Sequence, residues 1–508
     1  MKAFIQIRRN SYFDSVTLML LSRRLSEIPG VSSASVQMGT DHNLEILKKS
    51  GFESQELTTA GPNDLVIACK SDNSISADEI QAVISEQFNV KRSHDSEDLQ
   101  PRSIKTALQE MPLANLALIS LPGEYAAGEA RKCLELGLHT MIFSDNVSAS
   151  DEKSLKDFAR ERNLLVMGPD CGTAIINGKP LAFANKVRRG TIGLVGASGT
   201  GIQEVSVCIH KLGCGVSQAI GTGGRDLSQE IGGITMLMGL DALDRDPETK
   251  LIILISKPPH PSVAKKILSA VKKCSKPVVV NFLGADPGPI IKSGGIPAAT
   301  LELAAVSACK KIKPEIQDLH GPALLSSAIK TELLKFRPEQ KYLRGLYTGG
   351  TLCKEAIILL SDLTIWSNIP KTEEFRLPDS STSRENTILD LGEDEFTRGK
   401  PHPMIDPAAR TERLLRDSKD ATVRVFLFDV MLGYGSHPDP AGELVKGITA
   451  ARSVSEKRSQ HVSFVASVCG VEEDPQVYSS QLQKLKDAGV ILAQTNARAV
   501  NLARELIQ

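Results

Sequence analysis

No uninterrupted apolar run in this 508-residue chain reaches the length of a membrane helix, and its N-terminus, MKAFIQIRRNSYFDS, lacks the apolar core of a signal peptide. Charge bias is absent too: 60 Lys and Arg residues balance 60 Asp and Glu, for a formal net charge of +0. A basic stripe of the kind that grips nucleic acid or an anionic membrane is therefore not expected, which leaves a soluble, cytoplasmic protein with neither as partner. No CxxC pair occurs among the nine cysteines, so the common zinc and disulfide-exchange frameworks are excluded. The odd, scattered set reads as reduced thiols, with no metal and no cofactor expected.

What is present is alternation. A chain this long exceeds one hydrophobic core, and three to five domains are expected. Short strand-like runs at 4–9, 31–38 and 64–69, each followed by helical spacing, predict a small α+β module over residues 1–95. The polar stretch 91–105 reads as a linker. From Asn115, the apolar runs NLALIS, HTMIF and LLVMG predict a Rossmann-like unit over 106–185. The next two stretches, 190–310 and 342–508, read as one flavodoxin-like unit written twice. GLVGASGTGIQE (193–204), IGTGGRD (220–226), LIILISKPPHPS (251–262) and PVVVNFLGADPGP (277–289) are matched in order by GLYTGGTLCKE (345–355), ILDLGEDEF (388–396), VFLFDVMLGYGSHPDP (425–440) and VSFVASVCGVEEDPQ (462–476). Residues 310–341 link the copies, and 371–387 is a polar insertion in the second. Two related sheets predict packing about a pseudo-twofold axis, with a site between them.

Several turns carry chemistry. In GASGTGIQE, Gly199 and Gly201 allow a tight strand-to-helix turn whose free amides suit a phosphate, with Ser198 and Thr200 adding hydroxyls and Glu204 one turn further on. The same glycines serve plain α/β packing. A nicotinamide reading fails because the next strand ends in glycines without an acidic residue for a ribose. LGYGSHPDP offers Gly435, Ser436 and His437 at the entry of a second helix, and the helices opened by Gly201 and Pro440 are expected to aim at one anion. Gly223, Gly224 and Arg225 form a glycine turn bearing a guanidinium for a carboxylate or phosphate. Residues 390–410 gather acids with Arg398, Lys400, His402 and Asp406 in a long loop, which reads as functional or as a solvated surface. Cys171 in GPDCGT reads as a turn residue rather than a nucleophile, and His260 in KPPHP stays open between ligand contact and helix entry.

Taken in order, these pieces resemble the succinyl-CoA synthetase superfamily over residues 115–508: GPDCGTAIING its GPNCPG turn, GLVGASGTGIQE its second-domain helix, and DRDPETKLIILI its DPETKxIILI strand. That resemblance implies a multi-domain α/β architecture with a Rossmann-like CoA-binding-type domain and two ligase-type domains. Its phosphohistidine chemistry is not carried over, since residues 276–305 contain no histidine. GEDEFTRGKPHPMIDP, LGYGSHPDP and VCGVEEDPQ resemble the FdrA family more closely. This resemblance implies a subunit of an oxamate carbamoyltransferase in allantoin catabolism, acting with two further subunits on oxalurate and phosphate, or oxamate and carbamoyl phosphate. For that reaction, the turns read above make Ser198, Gly199, Thr200, Gly201, Gly435 and Ser436 the candidates for the phosphate and Arg225 or Arg398 for the oxamate carboxylate, with Glu204 and His437 as proton-transfer candidates. An acyl-CoA ligase and a non-catalytic scaffold are the competing readings.

Overall fold

A computed structural model describes residues 2–11, 13, 15–26, 28–52, 54–72, 75–92, 101, 103–317, 319, 324–397 and 401–508. The chain forms two compact units, residues 1–114 with 397–401 and residues 115–396 with 402–508. Most of the stretch read as the first linker lies outside the described residues.

The first unit comprises β1 (Lys2–Arg8), α1 (Ser15–Ser26), β2 (Val31–Met38), α2 (Asp41–Lys49), β3 (Leu65–Ser71), α3 (Ala77–Arg92) and α4 (Ile104–Glu110). Its sheet is antiparallel in the order β1-β3-β2. The central strand is apolar on both faces because both are covered. Leu65, Ile67 and Cys69 join a core with Leu18, Leu21, Leu25, Ile80 and Ile84, while Val66 and Ala68 join Leu47, Phe52 and Leu57.

The second unit opens with β4 (Leu116–Ile119), α5 (Gly123–Glu135), β5 (His139–Ile142), α6 (Ala149–Arg160) and β6 (Val166–Met167), a three-stranded parallel sheet. The chain then leaves that sheet earlier than its sequence suggests. β7 (Thr173–Ile176) and β8 (Lys179–Ala182) form a hairpin that pairs with the edge of a larger sheet. That sheet continues through β9 (Arg189–Ala197), α7 (Gly199–Lys211), β10 (Val216–Gly221), α8 (Ile234–Arg245), β11 (Leu251–Ser256), α9 (Pro261–Val271), β12 (Val278–Phe282), α10 (Pro287–Lys292), β13 (Ile296–Pro297) and α11 (Leu301–Ile312). The presumed linker contains α12 (Leu324–Leu333). A third sheet follows, with β14 (Tyr342–Tyr347), α13 (Gly350–Leu359), β15 (Ile365–Trp366), β16 (Asn386–Asp390), α14 (Asp394–Thr397), α15 (Ala408–Asp417), β17 (Val423–Met431), α16 (Pro440–Glu456), β18 (Ser463–Cys469), α17 (Tyr478–Asp487), β19 (Ile491–Ala493) and α18 (Asn496–Ile507).

The duplication read from sequence is visible in the topology. The large sheet runs β13-β12-β11-β9-β10 before its hairpin, and the third sheet runs β19-β18-β17-β14-β16 before β15. Both are the flavodoxin-like order, and equivalent strands are those matched above. LIILIS of β11 and SFVASVC of β18 are buried throughout, as strands covered on both faces must be.

Four helices form the layer that the two sheets share. Ile202, Val205 and Ile209 of α7, Leu301 and Ala305 of α11, Leu352 and Ala356 of α13, and Val500 and Ala503 of α18 belong to one core. Within this apolar layer sit two carboxylates. Glu204 on α7 accepts the amide of Asn496, the first residue of α18, at 3.0 Å. Glu355 on α13 accepts the amide of Leu301, the first residue of α11, at 2.8 Å, and the Asn496 side chain at 2.8 Å. Each acid thus satisfies an orphan amide at the positive end of a helix belonging to the other copy. Burial pushes Glu355 up to about 7, against the pull of those hydrogen bonds, and raises Glu204 as well.

The Glu355 shift fixes a sign. The folded protein holds that proton more tightly than the unfolded chain, so its share of stability is greatest below the ordinary value of 4.5 and declines as pH rises toward 7. Thermal unfolding of Glu355→Gln should therefore lose part of the wild-type decline between pH 5 and 8, a difference of up to about 3 kcal/mol. Parallel wild-type and variant curves over that range would show that Glu355 ionises normally.

Candidate functional site

In open parallel sheets, ligands bind beyond the carboxyl ends of the strands where strand order reverses. In the large sheet that point lies between β9 and β11, whose ends lead into Ser198 and Lys257. In the third sheet it lies between β14 and β17, leading into Thr348 and Leu432.

The helices that leave β9 and β14 meet at their N-termini. Ser198 Oγ and Thr351 Oγ1 share a hydrogen bond of 2.6 Å, and a methyl group on Gly349 would lie 3.0 Å from Thr200 Cγ2. Ser198 also caps α7 by accepting the Gly201 amide at 2.9 Å. A side chain at position 201 would come within 2.4 Å of that oxygen, so glycine is required. The amides of Gly199 and Thr200 have no acceptor inside the helix. The opposite turn is fastened from below by Asp429 at 0% exposure, which accepts the Thr348 amide at 2.8 Å, the Thr348 hydroxyl at 3.1 Å and the Gly349 amide at 2.7 Å. Buried Arg410 lies 3.6 Å from the Asp429 carboxylate and donates to its carbonyl at 2.6 Å.

Titratable groups surround this junction. Asp390, at the end of β16, is 2% exposed; its Oδ1 accepts the Gly392 amide at 2.9 Å. Its Oδ2 lies over the first residue of α13, 2.3 Å from where a Gly350 methyl would sit. The Lys257 ammonium would be 3.2 Å from the same methyl and is 3.8 Å from Glu393. Burial raises Asp390 to about 7; Lys257 opposes the shift and Glu393 adds to it. His402 Nδ1 accepts the Met404 amide at 3.2 Å, so the neutral ring carries its hydrogen on Nε2, which faces Gly392. Burial lowers His402 to about 4 and keeps it neutral at physiological pH. Asp170 is solvent-exposed, and the acids and bases around it act on its carboxyl. Desolvation raises it to about 6; Asp145 and Asp394 push it further, and Lys257 and Arg225 pull it back.

The structure thus gathers Ser198, Gly199, Thr200 and Gly201 as expected, but faces them with α13 rather than α16. Equivalent helices of the two copies meet, so the partner of GASGTG is YTGGT. Gly223 and Gly224 lie beside Asp170, with Gly223 in a left-handed turn at φ 84° against the Pro169 carbonyl. Arg225 donates to the Val147 carbonyl at 2.6 Å and pairs with Glu152 at 3.1 Å. Behind it Lys156, fully buried, ties Glu152 and Asp226 to the Thr222 carbonyl at 2.8–2.9 Å, which holds this turn in place. Gly435 packs on the Phe183 ring, and Phe183 in turn stacks toward His402 at 6.0 Å, so this loop is one layer removed. Ser436 Oγ is buried without a hydrogen-bond partner among the described residues, and His437 Nδ1 accepts the Asp439 amide at 3.0 Å. Glu204 sits in the helix layer, bonded to Asn496. Arg398 and Lys400 fall outside the described residues. Cys171 is a buried turn residue whose thiol burial pushes up to about 12, and His260 caps α9 through Ser262. Sequence reasoning passed over Lys257 and took Asp390 only as one of the acids of the 390–410 loop, although each is a charged residue closing an apolar strand.

Asp429 anchors this geometry. Asp429→Ala would release three hydrogen bonds and leave buried Arg410 without a carboxylate counter-charge, a loss of roughly 3–5 kcal/mol. Denaturant unfolding should record it; a change below about 1 kcal/mol would mean that the turn holds itself.

Three family descriptions match the chain: "AllF, heavy metal-associated domain" over residues 1–103, "CoA binding domain" over 187–284 and "CoA-ligase" over 346–506. The first unit does not fit the metal in that description. Cys69 is the single cysteine of residues 1–103, is buried in β3, and has its thiol pushed up to about 12 by burial. Among the described residues no group of three His, Cys, Asp or Glu side chains gathers to hold a metal ion, and no helix is long and apolar enough to cross a membrane. The succinate–CoA ligase (ADP-forming) alpha subunit of Aquifex aeolicus is 28% identical over 37% of this chain and 62% of its own length. The alpha subunit 2 of the same enzyme from Archaeoglobus fulgidus is 29% identical over 42% of this chain and 72% of its own. "Uncharacterized protein YahF" of Escherichia coli K12 is 45% identical over 100% of this chain and 99% of its own. The chain therefore belongs to the YahF family, with the CoA-binding and CoA-ligase architecture of the succinyl-CoA synthetase-like superfamily.

Proposed function

We propose that this chain is an acyl-transfer enzyme that seats a phosphate or acyl phosphate between the starts of α7 and α13. The observation that carries this reading is the convergence of two helix N-termini, each equivalent to roughly half a positive charge, with the Lys257 ammonium at a third strand end. Fixed amides, hydroxyls and one ammonium aimed at a single point stabilise charge as it develops on a leaving phosphate. The ligase-type relatives support acyl-phosphate chemistry in general. The lack of histidine in residues 276–305 and the Nε2–H tautomer of His402 favour direct transfer over a phosphohistidine relay.

Within that class the reading we favour is oxamate carbamoyl transfer, in which oxalurate and phosphate interconvert with oxamate and carbamoyl phosphate. The FdrA-like strings support it, and they bring with them two further subunits as proposed partners. Arg225, half exposed beside the Gly223–Gly224 turn, is the candidate for the oxamate carboxylate. A second reading, an acyl-CoA ligase, is favoured by the matches to the CoA-binding and CoA-ligase descriptions. Purified protein, alone and with the products of neighbouring genes, should convert oxalurate and phosphate to carbamoyl phosphate. Tight CoA binding without that turnover would transfer the site to the second reading.

The phosphate seat has its own test. Lys257→Met should weaken phosphate binding about 10- to 100-fold by calorimetry, the range of one charge-assisted hydrogen bond. Unchanged affinity would move the anion away from β11.

A further inference from the structure

Asp390 is an odd neighbour for an anion site. A carboxylate over the start of a helix and beside a lysine occupies the place where the field favours negative charge, so it competes with any anion that enters. Its position is not that of a buried acid with every lone pair satisfied. Oδ1 takes the Gly392 amide, while Oδ2, aimed at Gly350, accepts no hydrogen bond from the described residues, although the side chain is 2% exposed. Among the described residues, the charged and titratable groups that face it are Lys257 beyond β11, Glu393 on its own loop, Asp429 on β17, Cys353 on α13 and His402 across Gly392. Among these only Lys257 is cationic at neutral pH, since His402 is held neutral by burial.

We propose that Asp390 is the acid–base group of this site: it takes up a proton as an anion seats between α7 and α13, and it exchanges that proton with the nitrogen bonded to the acyl carbon. The inference rests on the phosphate reading above and deepens it. When the seat is empty, the Asp390 carboxylate balances the field of Lys257 and of the start of α13. When an anion arrives, it takes that role, and a second negative charge beside it is stabilised by protonation. Asp390 rises to about 7 without an added anion, so the proton is exchanged near the working pH, where such a group is most effective.

The step balances. In phosphorolysis, a phosphate oxygen of HPO4(2−) forms the new C–O bond as the C–N bond breaks; protonated Asp390 gives its hydrogen to the departing amide nitrogen and receives the one the phosphate loses. In the reverse direction the carboxylate takes a proton from the attacking amide nitrogen and returns it to the leaving phosphate. No outside acid, base or redox partner is consumed. His402, whose Nε2 faces the same glycine, is held neutral by burial and takes no part in the exchange.

Sulfate tests the binding half, because it carries a fixed charge across neutral pH. Calorimetric titration of the full chain should show sulfate affinity falling with rising pH above 7, approaching tenfold per unit, and Asp390→Asn should flatten that profile. In the complete reaction mixture Asp390→Asn should lower turnover about 10²- to 10⁴-fold. Asparagine still accepts the Gly392 amide, and an unchanged unfolding temperature would confirm the fold. A sulfate profile that is identical in wild type and variant, or turnover within fivefold of wild type, would overturn the assignment while leaving the phosphate seat standing. Absence of both sulfate and phosphate binding in the wild type would overturn the seat and the acid–base role together.

Discussion

Two buried carboxylates, Glu204 and Glu355, fix how the halves of the large unit meet. Each leaves the helix of one copy and satisfies the first amide of a helix in the other, inside an apolar layer where an unpaired charge would be costly. The exchange is reciprocal, so neither sheet can rotate without exposing an acid to an apolar wall. Because the acids sit one to two turns into α7 and α13, they set where those two helices begin. The apposition of Ser198 with Thr351 at the other end is the consequence. A site built on rigid helix ends, one from each copy, is thereby held by residues that never touch it.

Charge is distributed with the same economy of parts. Two helix N-termini and Lys257 supply the positive side; Asp390, Asp170, Glu393 and Asp394 supply the negative. Asp390 is raised by burial to about 7, and Asp170 by desolvation and neighbouring acids to about 6. Such a site changes charge with small energies and so is suited to anions that arrive, react and leave. The buried triad of Lys156, Glu152 and Asp226 is of a different kind: every member is paired, and it holds the Gly223 turn rather than reacting.

Much of the fold was legible because it rests on periodicity. The duplicated order of strand, glycine turn and helix was readable at 193–289 and 345–476, and the topology of both sheets follows it. Half of the candidate site was readable too, since GASGTG is a glycine turn at a strand-to-helix junction. The facing half was misplaced. LGYGSHPDP drew attention because it carries histidine, serine and aspartate, whereas YTGGT carries only hydroxyls and glycine. The repeat itself held the better signal: a pseudo-twofold pairs equivalent loops, and the equivalent of GASGTG is YTGGT. Glu204 is a related case: it holds the Asn496 amide away from the starts of α7 and α13. Its sequence position suggests the site, but nothing in a single sequence tells that Asn496, 292 residues away, has an amide waiting for it. Lys257 and Asp390 carry weak local signals, and their meeting across two sheets is a tertiary fact.

The central claim is that the starts of α7 and α13 form one anion seat. A crystal structure of the protein soaked in phosphate tests it most directly. The account predicts a phosphate within hydrogen-bond reach of the Gly199 and Thr200 amides and of the first turn of α13, with Lys257 turned toward it. Phosphate bound instead at the Pro440 end of α16, with the α7–α13 junction empty, would contradict it.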